Sequence, residues 1–181
     1  FKKPLPEYPE NIAVITSPTG EAINDIVSTI RKRYPLANIL LYPSLVQGED
    51  APLDLIRNLK KAYENERIDC LIIGRGGGSF EDLACFNDEK LARVLFSAPF
   101  PTISAVGHEG DYTICDFVSS YRAPTPTGAA IALKENASVA ADAAKLIGVG
   151  LQSFCIPGSV ADDRKVGLGH GNLGAMLLTE D

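Results

Sequence analysis

The strongest constraint on the fold lies in Cys70 to Asp88, CLIIGRGGGSFEDLACFND. Four apolar residues in a row, Cys70 to Ile73, leave no polar side for water and predict a strand buried on both faces, as in a helix-covered parallel sheet. Gly74, Gly76, Gly77 and Gly78 follow at once, set around Arg75. Glycine at that density is entropically costly and marks a loop that needs positive φ or close approach to a ligand. Ser79 fits a helix N-cap, with Asp82 three residues on as in a capping box. Strand, glycine loop and helix N-terminus together present backbone N–H groups and a positive dipole end to an anion. Arg75 adds a planar charged fork matched to phosphate or carboxylate oxygens. The loop is not the dinucleotide fingerprint, because Ser79 occupies the place of its third glycine, and no Walker-type phosphate loop occurs in the chain. The plain alternative is a tight strand-to-helix turn carrying an exposed arginine.

The same alternation recurs along the chain. Ile12 to Ile15 predicts a strand ending in Thr16-Ser17-Pro18-Thr19-Gly20, after which Ala22, Ile23, Ile26, Val27 and Ile30 repeat at helical spacing and leave Asp25 on the polar face. Asn38 to Tyr42 predicts a second strand. Asp50 as N-cap and Pro52 as an early helical proline open a helix carrying Leu53, Leu55, Ile56, Leu59, Ala62 and Tyr63. A helix from about Asp88 to Ser97 turns Leu91, Ala92, Val94 and Leu95 inward, and Thr102 to Val106 is a fourth strand, followed by Gly107-His108-Glu109-Gly110-Asp111. Such a series predicts an α/β fold with a parallel sheet of at least four strands flanked by helices, Rossmann-like or flavodoxin-like. Ligands of these sheets lie beyond the strand carboxyl ends, which brings Thr16 to Gly20 with Ser17, Tyr42 to Gly48, the glycine loop from Gly74 to Ser79, and Gly107 to Asp111 with His108 onto one rim. A carboxylate three residues from His108 is placed to orient its ring for proton transfer. A metal set drawn from His108, Glu109, Asp111 and Asp116 matches no standard zinc spacing. Arg122-Ala123-Pro124-Thr125-Pro126-Thr127 is expected to be a rigid loop without regular helix at its prolines, with Arg122 a second phosphate ligand or simply part of a surface turn.

Charge complicates a polyanionic substrate. The chain of 181 residues carries a net charge of −6, and through Glu135 it holds 14 basic against 18 acidic residues. Phosphate neutralisation by Lys and Arg supplies most non-specific DNA affinity, so any grip here is local or comes from another domain. Cys70, Cys85, Cys115 and Cys155 form no CxxC pair and read as reduced thiols of a cytoplasmic protein. No apolar window is long enough to span a membrane. Residues 1–10, with three prolines, read as an interdomain linker remnant, 11–135 as the α/β domain, and 136–181 as an unassigned Ala/Gly-rich tail.

Five stretches resemble one family. IAVITSPTGEAINDI, LYPSLVQGEDAP, IIGRGGGSFEDLACFNDE, ISAVGHEGDYTICDFV and RAPTPTGAA are similar, in order and over Asn11 to about Leu133, to the large subunit of exodeoxyribonuclease VII. The resemblance implies an exonuclease catalytic domain that hydrolyses single-stranded DNA to short 5′-phosphorylated products. No cofactor is required by that reading, which leaves room for a loosely bound magnesium ion. It places catalytic roles on Asp25, Arg75, His108 and Asp111. The assigned substrate contacts are Thr16, Ser17, Gly76, Gly77, Gly78, Ser79 and Arg122, with no metal ligand among them. It further implies an amino-terminal OB domain, and a carboxyl-terminal coiled coil that binds a small subunit; 136–181 does not carry the heptads of such a coil. Gly110 stands where the family usually has Thr. The competing function is a module that binds a nucleotide or phosphate without cleaving it.

Overall fold

A computed structural model describes residues 2–77, 80–107 and 110–133, and the backbone at 154–155. The elements run β1 (Asn11–Thr16), α1 (Glu21–Arg33), β2 (Asn38–Pro43), α2 (Ala51–Tyr63), β3 (Cys70–Gly74), a 3₁₀ helix (Phe80–Asn87), α3 (Glu89–Phe96), β4 (Thr102–Ala105), α4 (Ile114–Val118), β5 (Tyr121–Arg122), α5 (Pro126–Ala132) and β6 (Phe154–Cys155). Among the described residues the strands form one parallel sheet in the order β5-β4-β3-β1-β2-β6. The order 2-1-3-4-5 within it is the flavodoxin-like arrangement, which resolves the two α/β alternatives and puts the topological switch point between β1 and β3.

Alternation along β1 explains the layering. Ile12 and Val14 face a core closed by Ile23, Ile26 and Ile30 of α1 and by Ala129 and Ala130 of α5. Ala13 and Ile15 face the opposite core, with Leu55 and Leu59 of α2 and Leu91 and Leu95 of α3. All five residues of β3 are buried, as the unbroken apolar run requires.

Three expectations change. The segment after the glycine loop is a 3₁₀ helix; the α-helix begins only at Glu89, where the Asp88 carboxylate accepts the Leu91 N–H at 2.8 Å. Leu53 is exposed, because α2 buries Ala51, Leu55, Asn58, Leu59 and Ala62 instead, and Asp50 occupies the N-cap position without a side-chain cap bond. Pro126 starts α5 rather than excluding helix: Thr125 caps it by accepting the Gly128 N–H at 2.9 Å, and a proline in the first turn gives up only an N–H that the helix leaves unpaired.

Candidate active site

Three loops meet at the carboxyl edge of the sheet. Thr16 ends β1 fully buried, its carbonyl accepting the Ser44 N–H at 3.0 Å, while its hydroxyl has no hydrogen-bond partner among the described residues. Ser17 lies 3.4 Å from the Thr19 hydroxyl. Gly20 then occupies the N-cap of α1 and brings no side-chain oxygen, so the first-turn amides of this 13-residue helix have no side-chain cap. Gly76 crosses directly over them: a Cβ on Gly76 would lie 3.5 Å from the Ala22 nitrogen and 3.8 Å from that of Glu21. A side chain at this position would stand over the helix terminus, and glycine leaves it open.

The α-helix N-terminus next to Gly76 of the glycine loop is therefore that of α1. Pattern reasoning missed it because Gly20 carries no capping side chain to announce it; the signal available was the glycine itself, immediately before Glu21 and the apolar stripe. Gly78, Ser79 and His108 lie outside the described residues. Gly77 is exposed, with nothing within 4 Å of an added Cβ.

Arg75 is not the exposed arginine of the plain alternative. It is 4% exposed, and its N–H donates to the Ala105 carbonyl at 3.2 Å, tying the start of the glycine loop to the end of β4. Gly74 is required by the same approach, since a Cβ there would come within 2.9 Å of the Ala105 oxygen. Arg75 is thus buried at the start of the loop. Asp25 sits exposed on α1, as its place on the polar face predicts.

The loop after β4 folds back on itself. A Cβ on Gly107 would fall 1.9 Å from the Asp111 carbonyl oxygen, so only glycine permits the turn that carries Asp111. That carbonyl also accepts Arg122 Nη2 at 3.3 Å. Arg122 lies with its Cζ 4.0 Å from the centroid of the Tyr112 ring and its Nε 3.9 Å from Asp116 Oδ1. These contacts make Arg122 a brace of the loop.

Asp116 is 2% exposed and forms a reciprocal capping box with Thr113. Its Oδ2 accepts the Thr113 N–H at 2.8 Å and hydroxyl at 2.9 Å, and its Oδ1 accepts the Ser104 hydroxyl at 2.6 Å. These bonds engage both oxygens and make Asp116 a brace of the loop; the readable signal was Thr113-x-x-Asp116 itself. The Ile114 N–H adds a bond to Asn87 Oδ1 at 2.9 Å, joining α4 to the 3₁₀ helix. Among the described residues no group of three or more His, Cys, Asp or Glu is placed to hold a metal ion.

Away from the rim, Cys70, Cys85 and Cys115 are buried free thiols. Burial pushes the Cys70 and Cys115 thiols well up from their ordinary range, with Asp69 and Asp116 respectively adding to the shift. They are inert packing groups at neutral pH.

Residues 1–150 match the sequence profile of the family described as exonuclease VII, large subunit. The chain belongs to that family. Proteins named exodeoxyribonuclease 7 large subunit from Bacillus pumilus (strain SAFR-032), Bacillus thuringiensis (strain Al Hakam) and Bacillus cereus (strain AH820) are each 55% identical to it over 130 residues, 72% of this chain. The chain spans 29% of the length of these relatives. In this exonuclease VII large-subunit chain, the rim brings together Thr16, Ser17, Gly76 and the α1 terminus, with Arg75 buried and its backbone bonded to the end of β4, from which the Asp111 loop leaves. No helix among the described residues is long and apolar enough to cross a membrane.

Proposed function

We propose that this chain is the catalytic α/β domain of an exodeoxyribonuclease that hydrolyses phosphodiester bonds of single-stranded DNA to short 5′-phosphorylated products. The observation that carries the reading is the α1 N-terminus without a side-chain cap, next to Gly76, where an added Cβ would lie 3.5 Å from the Ala22 nitrogen, at the switch point of the sheet. Its uncapped amides and positive dipole end suit a phosphate.

Cleavage requires a water in line with the leaving oxygen, charge stabilisation on the non-bridging oxygens, and a proton for the leaving group. The amides of α1 and the glycine loop serve the non-bridging oxygens, together with the Ser17 hydroxyl. Arg75 contributes as a buried charge near them, which acts more strongly from a buried position than from water. His108, assigned by its place in the motif, transfers the proton, with Asp111 orienting its ring. Asp25 positions the water. In this reading no resident cofactor is required, and a loosely held magnesium ion would neutralise phosphate charge. The domain works in the cytoplasm within a hetero-oligomer, attached through a coiled coil to a small subunit.

The test is incubation of the full-length enzyme carrying this sequence with single-stranded oligonucleotides labelled at either end. Short products bearing 5′-phosphates support the proposal. Oligonucleotide or nucleotide binding without any cleavage would replace it with the non-catalytic phosphate-binding module.

A further inference from the structure

Beside Asp111 the molecule exposes a pair of stacked rings. Tyr112 is 53% and Phe117 65% exposed, their centroids are 5.7 Å apart and their planes 24° from parallel. The Arg122 guanidinium packs on the Tyr112 ring at 4.0 Å, and Ile114, 42% exposed, lies on the same short helix as Phe117. Burying either ring would be favourable, so an apolar surface of this kind in an otherwise polar rim marks a contact site. We infer that Tyr112 and Phe117 form a stacking platform for a nucleobase of the single strand, and that it selects unpaired over duplex DNA.

Three observations favour a base as the occupant. The rings are near-parallel and end a cation-on-ring stack, the geometry on which a flat π-system continues. The platform is continuous with the proposed cleavage site: Tyr112 follows Asp111 in sequence, and Arg122 holds both the Asp111 carbonyl and the Tyr112 ring. The chain is also acidic, with a net charge of −6, so it needs an attraction to DNA that does not come from counterion release. Stacking supplies one, because every unpaired base has an accessible face. In a duplex those faces are covered by neighbouring pairs. The support is rigid: the Thr113–Asp116 capping box sets the helix that carries Phe117, and Arg122 fixes Tyr112.

This inference rests on the nuclease reading, and the experiment separates the two. In the full-length assembled enzyme, Phe117→Leu and Tyr112→Leu keep apolar bulk and remove the ring; both side chains are more than half exposed, and equal urea midpoints check that folding is intact. KM for a single-stranded oligonucleotide is expected to rise by about 5- to 150-fold, the range that loss of one base–aromatic stack gives, with kcat little changed. Phe117→Trp should restore KM, and its indole fluorescence should be quenched by single-stranded but not by blunt duplex oligonucleotide. Unchanged KM in both leucine variants overturns the platform. So does unchanged KM with altered sedimentation of the assembly, which would assign the rings to a protein contact. A Phe117→Trp enzyme that shows single-strand quenching while the wild type cleaves nothing would sustain the platform and defeat the nuclease reading.

Discussion

Replacing Asp116 by alanine removes the brace under the proposed active loop, and its cost follows from the contacts. Three hydrogen bonds to the carboxylate vanish: from the Ser104 hydroxyl at 2.6 Å, the Thr113 N–H at 2.8 Å and the Thr113 hydroxyl at 2.9 Å. Ser104 and Thr113 are 0% and 1% exposed, so water does not reach the abandoned donors without a rearrangement. Arg122 loses its carboxylate at 3.9 Å, a distance at which the attraction is electrostatic rather than a hydrogen bond. Each unsatisfied buried group costs about 1–3 kcal/mol, and breaking a buried charged contact from one side costs about 3–5 kcal/mol in total. The contributions overlap, since they share one carboxylate, so we expect Asp116→Ala to lower the unfolding free energy by about 3–5 kcal/mol. Asp116→Asn preserves shape and one acceptor oxygen and should lose about half as much. Urea titration followed by far-UV circular dichroism measures both. A loss below about 1 kcal/mol in Asp116→Ala would refute the reasoning, since it would mean that the network holds nothing that water cannot replace.

Two glycine substitutions probe the rim. Gly107→Ala would put a Cβ 1.9 Å from the Asp111 carbonyl oxygen, so the loop must move; oligonucleotide cleavage should fall at least about 10²-fold, as expected when a reacting group is displaced by an ångström. Gly76→Leu covers the α1 terminus, and inorganic phosphate should then no longer compete with oligonucleotide as it does for the wild type, measured by inhibition constants. Raised thiol pKa values make stability sensitive to alkali. Cys70 and Cys115 stay protonated when folded but ionise on unfolding above about pH 9, the ordinary thiol value, so their stabilising contribution is full below that pH and declines above it, by up to about 1.4 kcal/mol per pH unit for each thiol. Urea midpoints measured between pH 8 and pH 10 on wild type and a Cys70→Ala, Cys115→Ala double variant check this, the variant losing less with rising pH.

The legible parts of the sequence were those with a period or an unbroken apolar run. β1, β2, β3 and β4 appear within a residue or two of their expected bounds because β1, β3 and β4 are buried on both faces and β2 nearly so. Strand order was not readable from such runs, since it depends on which side of β1 each crossover helix packs. Tyr121 and Arg122 form an edge strand too short to show alternation. An exposed Arg75 was the plain alternative to an anion-binding loop, and its burial could not be read from the run of glycines: it depends on how closely the loop lies against its neighbours, as at Gly74, where only glycine fits beside Ala105. Arg122 likewise needed three dimensions: its partners Asp111, Tyr112 and Asp116 lie six or more residues upstream, and the prolines that follow pointed only to a turn. Asp25, by contrast, was placed correctly from its position opposite the apolar stripe of α1.

The central claim is that the rim joining β1, β3 and β4 carries out hydrolysis by proton transfer from its own side chains. The most direct measurement compares wild type and His108→Ala in the full-length enzyme, scoring cleavage of a single-stranded oligonucleotide and its dissociation constant, each in chelator and in magnesium. The account predicts that His108→Ala loses about 10²–10⁴-fold in cleavage rate under both conditions while affinity for DNA is nearly unchanged. Wild-type cleavage that disappears in chelator, together with near-normal magnesium-supported cleavage by His108→Ala, would contradict it and make a carboxylate-bound metal the catalyst.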